Sequence, residues 1–179
     1  MELYAVRHGQ TAWNAMKKMQ GSVDIPLNEI GLAQAQETKN NLREIRVDRI
    51  FCSPLMRAKQ TAAAINEQRG LPVVYDERLR ERNYGEYEGA NKASFDYNAM
   101  WEYGKDLHYE KAENVRDFFA RVYDFLDELR ARYPEESILL VAHAGVLKAV
   151  KCYADGMMRD EEIGPYLPAN CGVSHYTLK

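Results

Sequence analysis

The chain has little of what most often declares a function outright. Its three cysteines, Cys52, Cys152 and Cys171, are odd in number, far apart and without a C-x-x-C pair. That excludes a disulfide framework and a thiolate zinc site, and matches the reduced thiols of a cytoplasmic protein. No H-E-x-x-H or H-x-H pair occurs, and the four histidines do not stand at ligand spacing from carboxylates, which excludes the common metal hydrolases. P-loop and dinucleotide-binding glycine patterns are also missing. No apolar run approaches the ~20 residues of a membrane span, and no basic segment followed by an apolar core marks a secretory signal. Positive charge is not in excess: 24 Lys and Arg stand against 27 Asp and Glu, a formal net charge of -3. General nucleic-acid binding is therefore not expected. A small anionic substrate is not excluded, because a local cluster of Arg and His focuses positive potential even in an acidic protein. Without internal repeats, low-complexity tracts or linkers, the 179 residues read as one domain, 1–179.

What is present alternates. Leu3-Tyr4-Ala5-Val6 is an apolar strand that stops at Arg7-His8-Gly9. A polar connection with Gly21, Asp24 and Pro26 follows, then Asn28 as a helix cap. Leu32, Ala35, Leu42 and Ile45 fall on one helical face. Arg49–Cys52 predicts a second strand. Ser53-Pro54 predicts a cap and first helical residue, with Leu55, Ala58, Ala62 and Ile65 continuing the helix to Gly70. Val73–Tyr75 predicts a third strand. Residues 90–112 are aromatic-rich and irregular, and a short lid or insertion is expected over about 84–112. An apolar stripe from Val115 through Phe118, Phe119, Val122, Leu126 and Leu129 predicts a helix over 113–133, closed by Pro134. Ile138–Ala142 is a continuous apolar run, as in a strand buried on both faces. It ends at His143, with Ala144-Gly145 opening another helix, and 172–178 supplies a last strand. The expected fold is α/β: three α/β/α layers around a mostly parallel sheet, with the lid inserted.

Two strand ends thus carry a histidine, His8 and His143, and parallel strands align their carboxyl ends, where open α/β sheets bind ligands. Arg7 arrives with the first. Arg57 comes from the first turn of a helix that follows another strand, where free backbone N–H groups already favour an anion. Two imidazoles and two guanidiniums point to a phosphoryl group, since Arg forks match phosphate oxygens and a neutral imidazole is a good nucleophile near pH 7.

With these residues in place the sequence resembles the histidine phosphatase superfamily, also called phosphoglycerate-mutase-like (branch 1), over nearly its whole length. Arg7-His8-Gly9 is followed by Thr11 and Trp13-Asn14. The family's G-x-x-D-x-P-L segment is matched by Gly21, Asp24, Pro26 and Leu27, and its Ser-Pro with Arg by Ser53-Pro54 and Arg57, with Ala58 and Thr61 behind. Leu79, Glu81, Glu88 and Gly89 match its acid motif, and His143 its second histidine. The resemblance implies a metal-independent, cofactor-free phosphomonoesterase of the histidine acid phosphatase type, acting on a small phosphorylated metabolite. It implies that His8 carries a phosphohistidine and that Arg7, Arg57 and His143 hold the phosphoryl oxygens. Asn14, Gly21 and the backbone at Ala144 are implied as further phosphate contacts, and Glu81 as the general acid and base. Chemistry alone leaves Glu77, Glu86 and Glu88 as rival acids; the motif selects Glu81.

The family also contains mutases, which are longer and carry extra arginines after the acid motif. Here no Arg occurs between Arg82 and Arg116, only Lys92, Lys105 and Lys111 being basic there, so a phosphatase is expected over a mutase or an idle phospho-ligand binder. A cysteine phosphatase, with Cys52 and Arg57 around a strand-to-helix loop, fails because four residues intervene instead of five and Pro54 has no N–H to give. Asp24 is expected to order its loop by accepting a hydrogen bond. Glu86, Glu88, His108 and His175 are expected to be solvated or structural, and the lid aromatics either to pack the insertion or to face a leaving group.

Overall fold

The structure, a computed structural model, describes all 179 residues, Met1–Lys179. Four strands, β1 (Glu2–Arg7), β2 (Arg49–Cys52), β3 (Val73–Tyr75) and β4 (Ser137–Ala142), run parallel in the order β3-β2-β4-β1. A fifth, β5 (Val173–Thr177), adds antiparallel to β1 at the edge. β4, inserted between β1 and β2, is buried along its whole length, which is why its sequence is an unbroken apolar run.

The sheet is covered on both faces. On one, Val6, Ile50, Cys52, Leu139 and Val141 pack on Leu42, Ala58, Ala62 and Ile65, carried by and just after the helices α2 (Glu29–Asn41) and α3 (Met56–Asn66). On the other, Leu3, Ala5, Phe51, Ile138 and Leu140 meet Phe118, Val122, Leu126, Leu147 and Val150 from α4 (Val115–Arg132) and α5 (Ala144–Asp155). Short helices α1 (Ala12–Ala15) and α6 (Asp160–Ile163) border the upper loops. The three layers are those the alternating sequence predicts.

Register positions the site. Arg7 pairs with Ala142 and Cys52 with Val141, so the next residues of all three strands, His8, His143 and Ser53, leave the sheet side by side on its carboxyl edge.

Three expectations need correction. Leu32 is 46% exposed; α2 instead turns Gly31, Ala35 and Thr38 inward. The reason is a close backbone approach: a Cβ on Gly31 would lie 2.1 Å from the carbonyl oxygen of Gln10, and one on Gly9 would lie 2.5 Å from that of Gly31. Second, Ser53 does not cap α3. The helix begins at Met56, and its free Met56 N–H donates to Asp24 Oδ1 at 2.6 Å. Third, residues 84–112 do not all lie outside the core. They form short 3₁₀ turns, and Met100 and Trp101 are buried in the core, Trp101 edge-on to Tyr84, Tyr97 and Phe118.

Candidate active site

The deepest part of the site is the end of β1. The His8 N–H donates to the Ala142 carbonyl at 2.9 Å, fixing the turn out of the strand. Its ring Nδ1 lies 2.7 Å from the Gly9 carbonyl oxygen. A carbonyl only accepts, so Nδ1 carries the proton and Nε2 keeps a free lone pair. Burial, and then the nearby Arg57 and Arg7, push the His8 pKa well below 6.5, so the ring is neutral at neutral pH. Arg7, 6% exposed, donates through Nη1 to the Pro168 carbonyl at 2.6 Å, whereas its buried Nε–H has no partner. An unpaired buried N–H on a cation is an open position for an anion.

Arg57 stands in the first turn of α3 and is fully buried. Its Nη1 and Nη2 donate to the carbonyls of Val23 and Gly21, each at 2.7 Å, so the G-x-x-D loop holds the guanidinium. Burial lowers its pKa to about 10, Glu81 and Asp24 acting in the opposite direction, and it remains a cation. Arg57 Nε donates to His143 Nδ1 at 3.2 Å. A neutral His143 then bears its proton on Nε2, which donates to Ser53 Oγ at 2.7 Å. The His8 and His143 rings are 5.2 Å apart, centre to centre, and burial followed by Arg57 also pushes the His143 pKa well below 6.5.

Glu81 reaches the same point from the turn after β3. One carboxylate oxygen accepts the Arg82 N–H at 2.9 Å and the other the Gly145 N–H at 3.1 Å. Asn14 Oδ1 accepts the Thr11 N–H at 3.1 Å, leaving its amide N–H groups for a ligand. A narrow inner cavity of about 30 Å³ is lined by Arg7, His8, Asn14, Gly21, Arg57, Glu81 and Ala144, among others. That is room for one or two water-sized groups, the scale of a tetrahedral anion. The structure thus brings seven of the eight expected residues to one lining. The eighth, His143, stands behind it with both ring nitrogens engaged.

Outside lies a wider cavity of about 540 Å³, within the usual range for small-molecule sites. Its walls include Lys17, Lys18, Lys92, Tyr97, Leu167 and Asn170. Sequence reasoning gave the far side of the site to residues 84–112 alone. Four of these six come instead from the turn after α1 and from the loop before β5, where Asn170 Nδ2 donates to the His8 carbonyl at 2.9 Å. That loop is anchored by Lys148 of α5, fully buried, whose ammonium donates to the carbonyls of Ile163, Gly164 and Tyr166 and lies 4.9 Å from the Trp101 ring centre.

The other candidates sort cleanly. Among the rival acids, Glu77 and Glu86 are exposed. Glu88, expected to be solvated, is half-buried, and its Oε1 accepts the Ser22 and Tyr84 N–H groups at 2.7 and 3.1 Å, tying two loops together. Burial pushes the Cys52 thiol up to about 12 and Sγ lies against the Ser53 carbonyl, so it is no thiolate nucleophile. His108 is exposed beside Asn114. His175 pairs with Glu2 at 2.5 Å and stacks on Tyr4.

Residues 3–179 match the family model described as histidine phosphatase superfamily (branch 1). An uncharacterized phosphatase, PhoE, of Bacillus subtilis is 37% identical over 145 residues, covering 81% of this chain and 72% of the relative. A 2,3-bisphosphoglycerate-dependent phosphoglycerate mutase of a Methylobacterium species is 35% identical over 168 residues, covering 87% and 81%. Among solved structures, a mycobacterial glucosyl-3-phosphoglycerate phosphatase in complex with VO3 superposes with a TM-score of 0.86 at 30% identity, covering 97% of this chain and 91% of the other.

Proposed function

The chain belongs to the histidine phosphatase superfamily, branch 1, and from that membership we propose a metal-independent phosphatase that hydrolyses a small phosphomonoester through a phosphohistidine on His8. One observation carries the reading: a neutral imidazole with Nδ1 tied to a carbonyl and Nε2 free stands beside a buried guanidinium with an unpaired N–H.

In the proposed reaction His8 Nε2 attacks phosphorus as the bond to the leaving oxygen breaks, and Glu81 gives that oxygen its proton. Positive charge developing on the ring is shared through Nδ1–H with the Gly9 carbonyl. Arg7, Arg57 and the amide of Asn14 hold the non-bridging oxygens, with the Ala144 backbone and Gly21 closing the pocket. His143 fixes the Arg57 fork from behind. Water then attacks the phosphohistidine, its proton going to Glu81, and inorganic phosphate leaves with His8 neutral again. Phosphoryl transfer has a loose transition state, so fixed cations and positioning account for most of the rate. The enzyme is read as a histidine acid phosphatase-type phosphomonoesterase of the cytoplasm, in keeping with three buried, unpaired cysteines.

Rapid quenching with a ³²P-labelled substrate should trap acid-labile, alkali-stable label on the wild type and none on His8→Ala. Equal phosphate release by the two proteins would overturn the assignment, and would also favour an idle binding domain. Glu81→Gln should slow alkyl phosphates by about 10²–10⁴-fold and aryl phosphates less in single-turnover phosphorylation, because aryl oxygens leave without a proton. A mutase reading is supported by the mutase among the relatives; rapid interconversion of phosphoglycerates without matching phosphate release would establish it.

A further inference from the structure

The proposed acid stands on a stretch of chain with no regular structure to hold it. Glu81 lies between the 3₁₀ turns Glu77–Leu79 and Gly85–Tyr87, and no backbone N–H reaches the carbonyls of Arg80 or Glu81. Proton transfer demands hydrogen-bond reach to the leaving oxygen, so this stretch has to be fixed from outside.

Arg121 of α4 fixes it. A guanidinium has five N–H groups, and here all five are engaged. Nη1 donates to the carbonyls of Arg78 and Arg80 at 2.5 and 2.9 Å, and Nη2 to that of Glu81 at 3.4 Å. Nε and Nη2 donate to the two carboxylate oxygens of Glu113 at 2.6 and 2.9 Å. Glu113 in turn grips the chain beyond Glu81. Its N–H donates to the Asn83 carbonyl and its carbonyl accepts Arg82 Nε, each at 2.9 Å, while Oε2 also accepts the Asn83 N–H at 3.3 Å. The two side chains are only 23% and 19% exposed, and the guanidinium lies 4.6 Å from the ring centre of the buried Phe118.

One ion pair on a rigid helix thus frames the acid from both sides, yet neither partner lines the inner or the outer cavity. Simple attachment of this turn to α4 is already supplied by Arg78, whose guanidinium pairs with Asp124 and Glu128. What Arg121 adds is the placement of the backbone that carries Glu81. Resting on the phosphatase reading above, we propose that Arg121, with Glu113, is a positioning residue for the general acid, holding Glu81 where its carboxyl meets the leaving oxygen.

The test is a substitution that keeps the charge and loses the geometry. The single ammonium of Arg121→Lys cannot span three carbonyls and a carboxylate. In single-turnover phosphorylation it should slow glycerol 3-phosphate by about 10–10²-fold and a nitrophenyl phosphate by less than about threefold, because only the alkoxide needs its proton. Inhibition by inorganic phosphate should stay as in the wild type, since Arg7, Arg57 and Asn14 are untouched. Added to Glu81→Gln, Arg121→Lys should cost nothing further on glycerol 3-phosphate, because a frame has no effect without the group it holds. If Arg121→Lys does not fold, Glu113→Gln, which keeps the backbone bonds of residue 113 and removes only its charge, should show the same selective loss at about three- to tenfold. Equal losses on the two substrates, weakened phosphate inhibition, or a multiplied loss in the double variant would each overturn the proposal and leave Glu81 as the acid. Glu81→Gln alone tests the underlying assignment: were it to slow both substrates alike, the acid role of Glu81 would fall, and the frame with it.

Discussion

A methyl group on Gly145 would lie 2.2 Å from Glu81 Oε1 and 2.9 Å from Trp101 Cη2. The residue thus matters less for backbone freedom than for the space in which the proposed acid sits, while its own N–H holds the other carboxylate oxygen. Gly145→Ala separates that role from stability. Helix propensity alone favours alanine by about 0.5–1 kcal/mol, yet the intruding Cβ must push Glu81 aside. An acid misplaced by about an ångström should lose about 10²-fold in kcat on alkyl phosphates and much less on aryl phosphates, with the protein still folded by circular dichroism. Equal losses on both substrates would mean that Gly145 acts on the pocket as a whole. At this scale the sequence was legible wherever a residue ends a strand or opens a helix: Arg7, His8, Arg57 and His143 follow from position plus chemistry. Glu81 needed the family pattern, since nothing local separates it from Glu77 or Glu86. Lys17, Leu167 and Asn170 were not legible, because their meeting depends on how loops more than 140 positions apart fold over one strand end.

Among the elements, α3 shows how a correct chain of local rules gives a slightly wrong boundary. Ser53-Pro54 is a good helix start, but the Ser53 hydroxyl takes the Nε2–H of His143, and the cap passes to Asp24, 32 residues upstream. The substitute does more than a local cap would: it ties the loop whose Gly21 and Val23 carbonyls hold Arg57 to the helix that carries Arg57. Asp24→Ala should therefore lower stability by about 1 kcal/mol, or about 2–4 °C in Tm for a chain of this size. It should also weaken inhibition by inorganic phosphate several-fold, as the Arg57 fork loosens. A lower Tm with unchanged phosphate inhibition would show the cap to be structural alone. The central strands were plain in the sequence because the sheet is mostly parallel and doubly covered, so burial writes an apolar run directly into β1 and β4. The stretch 84–112 was less legible for the opposite reason. It has no period, and only the folded chain shows Trp101 to be core and Tyr97 to be cavity wall.

For the whole molecule, the arrangement that prepares His8 also sets how the fold responds to acid. His8 and His143 are both buried beside Arg57 and Arg7, and both are pushed well below 6.5. In the unfolded chain each returns to about 6.5. Between that value and the folded pKa values the unfolded state binds up to two more protons than the native state, so stability falls as pH falls, by up to about 2.7 kcal/mol per pH unit. Above about pH 7 both states are neutral at these positions and the contribution is flat. Urea unfolding of the wild type should therefore show a decline that steepens from about pH 6.5 to 5, before the ordinary carboxylates titrate, below a shallower slope above pH 7 from the buried Lys148, whose pKa burial lowers to about 7. His143→Gln, which keeps a hydrogen-bonding group behind Arg57 but cannot titrate, should have about half the slope, and His8→Ala likewise. If the wild-type curve stayed level down to pH 5, the two rings would have to accept protons in place, and a neutral, preformed nucleophile would no longer follow from burial. The same experiment bears on binding, because a phosphoryl dianion in the inner cavity supplies the negative charge that the empty site lacks. Saturating inorganic phosphate should shift the decline to lower pH by stabilising the native state at every pH where it binds.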